Sequence, residues 1–175
     1  AFKGSEYDID LAFDNVLDMF DVMNDKKLLP AEKIEIGLEL LLGKRVPDEI
    51  QTDLWSYIFD KYINGEPKKT IQYDLAGNPM PVQDDDDGES FIDIEQDAEY
   101  IYASFKQAYN MDLMQEQGKL HWDKFRALLN GLPNDTIMQR VIQIRAWKPT
   151  KGDSPEYKES MRKLQLAFAL VPVEE

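Results

Sequence analysis

Phe13-Asp14-Asn15-Val16-Leu17-Asp18-Met19-Phe20-Asp21-Val22-Met23 decides the fold class. Phe13, Val16, Leu17, Phe20 and Met23 recur at spacings of 3, 1, 3 and 3, which gathers them on one face of a helix over about 10–25. The same grammar repeats downstream. Pro30 suits a first helical turn, where a missing N–H costs nothing; Ile34, Leu38, Leu41 and Leu42 form a stripe, and Gly43 stops it. Pro47-Asp48-Glu49 opens a third helix with acids at its positive end. Its stripe is Ile50, Leu54, Tyr57, Ile58 and Tyr62, with Trp55 and Phe59 beside it, and Asn64-Gly65 ends it.

Helices resume beyond residue 90. Asp93 with Gln96 reads as a capping box, ahead of Ile94, Ala98, Ile101, Phe105 and Ala108 on one face. A turn around Asn110–Gly118 leads to a helix over about 119–130 with Trp122, Phe125, Leu128 and Leu129 inward. Gly131 ends it, and Pro133-Asn134-Asp135 caps a helix that buries Ile137, Val141 and Ile144 and closes at Lys148-Pro149. Ser154-Pro155-Glu156 starts the last, with Met161, Leu164 and Phe168 as its stripe and Pro172 as its stop. The expectation is an all-α single compact domain, 1–175, of about six to seven helices.

Residues 65–90 break the pattern. Pro67, Pro79, Pro81, Gly65, Gly77 and Gly88 and the run Asp84-Asp85-Asp86-Asp87 read as an inserted acidic loop, with a small hairpin around Thr70–Pro79 as an option. Consecutive acids lack the alternating ligands and closing glutamate of a calcium loop, so the tract is expected to be solvated and metal-free.

Composition narrows the function classes. The 175 residues hold no cysteine and one histidine, His121, which excludes disulfides, thiolate zinc sites and two-histidine metal motifs. Nothing in the spacing gives His121 a partner such as Ser104 or Ser160, and no Gly-rich phosphate loop is present. No enzyme activity and no cofactor is expected. The start, Ala1-Phe2-Lys3-Gly4-Ser5-Glu6-Tyr7, lacks the basic-then-apolar order of a signal peptide, and no apolar run reaches the ~20 residues of a membrane helix. A soluble cytoplasmic protein is expected.

The net charge of −14 is unevenly placed. Residues 1–100 carry 25 acids and 9 bases, a net of −16, whereas 101–175 carry 9 acids and 11 bases, a net of +2. An acidic surface repels nucleic acid and anionic membranes, so neither is an expected partner. Asp10, Asp14, Asp18, Asp21 and Asp25 recur at 4, 4, 3 and 4, a candidate docking strip for a basic partner, although a solvated face has the same pattern. Residues 136–163 are net +4, so the basic end of one copy could meet the acidic end of another as a homo-oligomer, with Trp55, Phe59 or Trp147 as the apolar part of the contact. Phe105, Trp122, Phe125, Leu129, Ile137 and Val141 are expected to form one core cluster with Phe20 and Leu38.

Two stretches carry a resemblance: Phe91-Ile92-Asp93-Ile94-Glu95-Gln96-Asp97-Ala98-Glu99-Tyr100-Ile101-Tyr102-Ala103-Ser104-Phe105, and Leu120-His121-Trp122-Asp123-Lys124-Phe125-Arg126-Ala127-Leu128-Leu129-Asn130-Gly131-Leu132-Pro133 with Ile144-Arg145 after it. With Phe20-Asp21-Val22-Met23-Asn24-Asp25 and Glu32-Lys33-Ile34, the chain over about 8–170 resembles the bacteriophage family named after gene product fifteen, found in siphophages and prophages of Gram-positive bacteria. The second motif in that family often reads His-Trp-Trp; Asp123 stands here at the second tryptophan. The resemblance implies an all-α fold and a gene position just before the tape-measure gene, where long-tailed phages encode tail assembly chaperones. It therefore implies a tail assembly chaperone in the host bacterial cytoplasm, with the tape-measure protein as partner and the tail-tube subunit as a further one. It brings no catalytic or binding residues. The alternative from charge alone is an acidic DNA mimic that inhibits a host nucleic-acid enzyme, although a mimic would spread its acids along the whole chain.

Overall fold

The computed structural model describes residues 1–64 and 91–171. The expected acidic loop, its hairpin, Asp84–Asp87 and the stop at Pro172 lie outside the described residues. Among those described the protein is all-α: α1 (Phe13–Asn24), α2 (Pro30–Leu42), α3 (Asp48–Ile58), α4 (Ala98–Tyr109), α5 (Trp122–Asn130), α6 (Ile137–Ala146) and α7 (Pro155–Ala167). Six residues, Phe59–Asn64, continue α3 as a wider π-turn.

The chain divides into two compact units, Ala1–Asp84 with Glu116–Arg126, and Asp85–Gln115 with Ala127–Glu175. The boundary between Arg126 and Ala127 falls inside α5. The residues expected in one cluster are shared between the two. Phe20, Leu38, Trp122 and Phe125 belong to the first unit; Phe105, Leu129, Ile137 and Val141 belong to the second.

In the first unit, α1 packs on α2 and α2 on α3. Val16, Met19, Leu38, Leu41, Leu54, Ile58 and Ile63 are buried, with Phe13, Trp122 and Phe125 closing the core. Phe13 stacks on Phe125 at 5.0 Å and Trp122 on Phe125 at 5.7 Å between ring centroids. Helix α1 begins at Phe13, the first residue of its apolar period, rather than near residue 10. Segment 11–13 pairs with 120–122: the N–H of Phe13 donates to the carbonyl of Leu120 at 2.8 Å, and that of Trp122 to Leu11 at 2.7 Å. This antiparallel bridge between Ala12 and His121 holds the residues before α1 extended. It also gives Phe13 N–H, otherwise an unsatisfied donor of the first turn, a partner without any side-chain cap.

Helix α2 starts at Pro30, as its sequence requires. The Glu32 carboxylate reaches back to accept from the Leu29 N–H at 2.7 Å. Gly43 closes it in the left-handed region (φ +62), with its N–H donating to the Glu39 carbonyl. Helix α3 starts at Asp48, so Pro47 stands at the cap rather than in the first turn. Its inner face is Gln51, Leu54, Ile58 and Ile63; Tyr57 and Tyr62, expected inside, are half-buried. The π-turn accounts for Tyr62, since the wider turn rotates Ile63 inward in its place; Tyr57 precedes that turn and lies against Phe2, with ring centroids 5.3 Å apart.

In the second unit, α4 packs on α6 and α6 on α7. Ile101, Ser104, Phe105, Leu129, Leu132, Met138 and Val141 are buried. Asp93 does cap with Gln96: its Oδ1 accepts from the N–H groups of Glu95 and Gln96 at 3.0 and 2.9 Å. The turn so closed precedes α4, which starts five residues after Asp93, so Ala98 is exposed rather than inward. Helix α6 is capped from another helix. Ser104 of α4, fully buried, accepts from the Met138 N–H at 3.0 Å, whereas Thr136, the residue at the cap, donates its hydroxyl to the Pro133 carbonyl at 2.7 Å. Helix α7 has its cap at Ser154, which accepts from the Tyr157 N–H at 3.1 Å, but it buries none of its residues.

Candidate partner-binding surfaces

The five aspartates of the expected strip divide by role. Asp10 lies ahead of α1 and turns its Oδ1 to the Ala12 N–H at 3.0 Å. Asp25 is the C-terminal cap residue and accepts from the Lys27 N–H at 2.8 Å. Asp14 is half-buried, and both its oxygens accept from the Gly118 N–H, at 2.9 and 3.1 Å. Gly118 holds φ +68, a conformation that suits glycine, so this carboxylate fixes a turn of the distant Glu116–Arg126 segment against α1. Asp18 and Asp21 are exposed. The helical step of 100° puts them with Asp14 on the side opposite Val16, Met19 and Met23.

The aromatic candidates are not a free apolar patch. Trp55 and Phe59 are both half-buried, with ring centroids 5.5 Å apart, and Phe59 meets Phe20 edge-on at 6.3 Å. Phe20 in turn touches Trp122 at 5.8 Å. Trp55 lies so close to Gly37 of α2 that a Cβ built there would stand 2.8 Å from its ring. These side chains join α1, α2 and α3, which is a packing role. Trp147 belongs to the second unit, is half-buried, and meets Tyr157 edge-on at 5.9 Å. Among the described residues, the large apolar side chains most open to solvent are others: Leu29, Met114, Tyr157, Leu164, Leu166 and Val171.

The motif residues build the scaffold. Trp122 is 4% exposed and donates its indole N–H to the Ile63 carbonyl at 3.0 Å, while Arg126 donates to the Asn64 carbonyl at 2.7 Å. Together they satisfy carbonyls at the end of the π-turn, which would otherwise lack helical donors. Asp97 and Arg145 form a buried ion pair in the second unit. Both fall in the stretches that carry the family resemblance, where the sequence does not pair them; an acid at a position flanking an apolar helix face was the signal available.

Reactive arrangements are scarce among the described residues. His121 is exposed, and its Nδ1 accepts from the Asp123 N–H at 3.2 Å; Ser104 is occupied at the α6 cap, and Ser160 is exposed. Among the described residues, no group of three or more His, Cys, Asp or Glu could hold a metal ion. A cleft of about 420 Å³ lies between Asp8–Asp10 and Leu40–Gly43. Its floor is closed by backbone pairing of Asp10 N–H with the Leu41 carbonyl at 2.7 Å and by Asn15 bridging Asp10 and Leu40. On the exposed α3 face, the Lys61 ammonium bonds the Tyr57 hydroxyl at 3.0 Å; that bond holds the Tyr57 phenol below its ordinary pKa and raises that of Lys61. Burial, with Asp112 beside it, pushes the Tyr102 phenol up.

Comparison with known proteins gives one family. The model described as Bacteriophage Gp15 protein matches residues 1–170. No curated protein and no solved structure matches. Among the described residues no helix is long and apolar enough to cross a membrane.

Proposed function

The chain belongs to the bacteriophage Gp15 protein family, and we propose that it serves its phage as a tail assembly chaperone, a non-enzymatic protein that binds the tape-measure protein and keeps it soluble in the host cytoplasm until the tail tube forms. The observation that carries this reading is the family match over nearly the whole chain, joined to the gene position that the resemblance implies. The charge supports it. With the acid surplus in the first 100 residues and Asp18 and Asp21 directed to solvent, a client coated by many copies acquires a self-repelling exterior.

The energetics are those of weak, repeated contacts. A client helix that buries apolar surface against a chaperone gains roughly 25 cal/mol per Å². Release during tail assembly requires that each contact stay modest, so many copies acting together hold the client better than one tight site. The test is co-expression of this chain with the tape-measure protein of the same phage. The expected result is a soluble complex that copurifies with several chaperone copies per client. A tape-measure protein that precipitates equally with and without this chain would overturn the reading, and recovery of a host nuclease from infected cells would favour the DNA mimic.

A further inference from the structure

Helix α7 is held from one side. Gln165 Nε2 donates to the carbonyls of Ile144, Arg145 and Trp147 at 3.0, 3.3 and 2.8 Å, and Tyr157 meets Trp147, so this edge rests against the end of α6. The opposite edge carries Leu166, 80% exposed; Leu164, two residues back, falls on the Tyr157 side of the helix. Helical periodicity sets Arg162 and Glu159 beside Leu166, with Lys163 next to them. Lys163 pairs with Glu159 at 2.8 Å, both strongly exposed, and such a pair contributes only ~0–1 kcal/mol and exchanges readily. The result is one exposed leucine flanked by Arg162 and Lys163 on the basic part of the chain.

Its complement lies on α1. Asp18 and Asp21 point to solvent, and the half-buried Leu17 and Val22 border them. Nothing basic lies within α1 itself. We propose that α7 of one copy docks, through Leu166, Arg162 and Lys163, on the Asp18–Asp21 face of α1 in a second copy. The two surfaces differ, so the contact is heterologous and each copy offers one of each; such contacts repeat from copy to copy. The apolar part comes from α7, not from Trp55, Phe59 or Trp147, which are engaged within their own units.

Magnitudes set the strength. The helix is about 20 Å long, and one edge of it offers well under the ~800 Å² per partner of a standard interface. The net charge of −14 on each copy opposes approach, while the ion pairs are screened beyond ~10 Å at 0.1 M salt. The association is therefore weak, growing with concentration and falling with salt. It needs no client, so its outcome is separate from that of the chaperone reading.

Sedimentation velocity of the full chain over a concentration series, at low and high salt, tests it. The wild type should sediment faster with concentration at low salt and lose that trend at high salt. Arg162→Glu/Lys163→Glu, Asp18→Lys/Asp21→Lys and Leu166→Ser should each weaken association about tenfold. All these positions are solvent-facing, so unchanged far-ultraviolet circular dichroism is expected. An equimolar mixture of the two charge-reversed proteins should recover association, since each then offers the other a complementary face. Lys27→Glu/Lys124→Glu, which alters net charge as much as the α7 reversal, should associate more strongly than that reversal. A wild type that stays monomeric at every concentration and salt, or association that ignores both reversals, would overturn the proposal.

Discussion

Asp97 and Arg145, 48 residues apart, meet as a two-pronged ion pair at 2.6 and 2.7 Å, with their side chains 1% and 9% exposed. The guanidinium also donates to the carbonyls of Phe91 and Phe168 at 2.8 and 2.6 Å, and Asp97 accepts in addition from the Asp93 N–H at 3.0 Å. One arginine thus ties together the residues before α4, the end of α6 and the end of α7. A point charge could not reproduce this fork of bonds.

Removing one partner strands the other in a dry site, a loss of about 3–5 kcal/mol. Asp97→Asn is expected to lower Tm by roughly 6–20 °C for a chain of this size, and Arg145→Lys to fall nearly as far. Thermal melts followed by circular dichroism measure both. Asp97→Asn melting within two degrees of wild type would show that the pair contributes no net stability.

Trp122 carries two loads, ring contacts with Phe20 and Phe125 and the hydrogen bond to Ile63. Trp122→Ala should cost roughly 3–5 kcal/mol. Trp122→Phe keeps most of the ring area and loses the N–H, so about 1–2 kcal/mol is expected. Urea titration of the three proteins separates the two contributions; equal losses for Ala and Phe would assign the effect to the hydrogen bond alone.

The parts of this fold that the sequence discloses are those with a local cause. The period of Val16, Phe20 and Met23, the glycine stop at Gly43 and the Ser154-Pro155 start all depend on residues within a turn of one another, and their helices are where they were expected. The departures each have a distant cause. The start of α1 is set by Leu120 and His121, the π-turn end by Trp122 and Arg126, and the α6 cap by Ser104, which reaches Met138 across 34 residues. No window of sequence holds both partners of such bonds. The surface assignment suffered likewise: aspartate spacing suggests one strip, but a carboxylate committed to the distant Gly118 N–H looks in sequence like its neighbours.

Gly37 makes a close approach of α2 to α3. A Cβ there would stand 2.8 Å from the Trp55 ring and 3.0 Å from the Met23 methyl. Gly37→Ala gains up to ~1 kcal/mol of helix propensity, whereas overpacking costs ~1–3 kcal/mol. Met23 can yield, being unbranched, but the Trp55 ring leans on Phe59. The net expectation is a loss of about 1 kcal/mol with a shift of tryptophan emission to longer wavelength as Trp55 moves outward. A more stable protein with unchanged emission would show that the helices separate easily.

The aspartates of α1 give a contrast that distinguishes structure from docking. Asp14 bonds a backbone N–H with both oxygens and is half-buried. Hydrogen bonds to charged groups contribute about 1.5–3 kcal/mol, and partial exposure argues for the lower end, so Asp14→Ala should cost about 1–2 kcal/mol and loosen the Gly118 turn. Asp18 and Asp21 lie in the open beside other acids. Each like-charge neighbour on a helix costs ~0.2–0.5 kcal/mol; Asp18→Asn and Asp21→Asn should therefore leave stability unchanged or raise it slightly. Binding should show the reverse order, with the Asp18 and Asp21 variants weakened toward a basic partner and the Asp14 variant affected only as far as it unfolds. Denaturant titration together with co-expression solubility reads both quantities from the same proteins. Asp18→Asn/Asp21→Asn that keeps a client fully soluble, and also associates with itself as wild type does, would reduce the acidic face of α1 to a solvated surface.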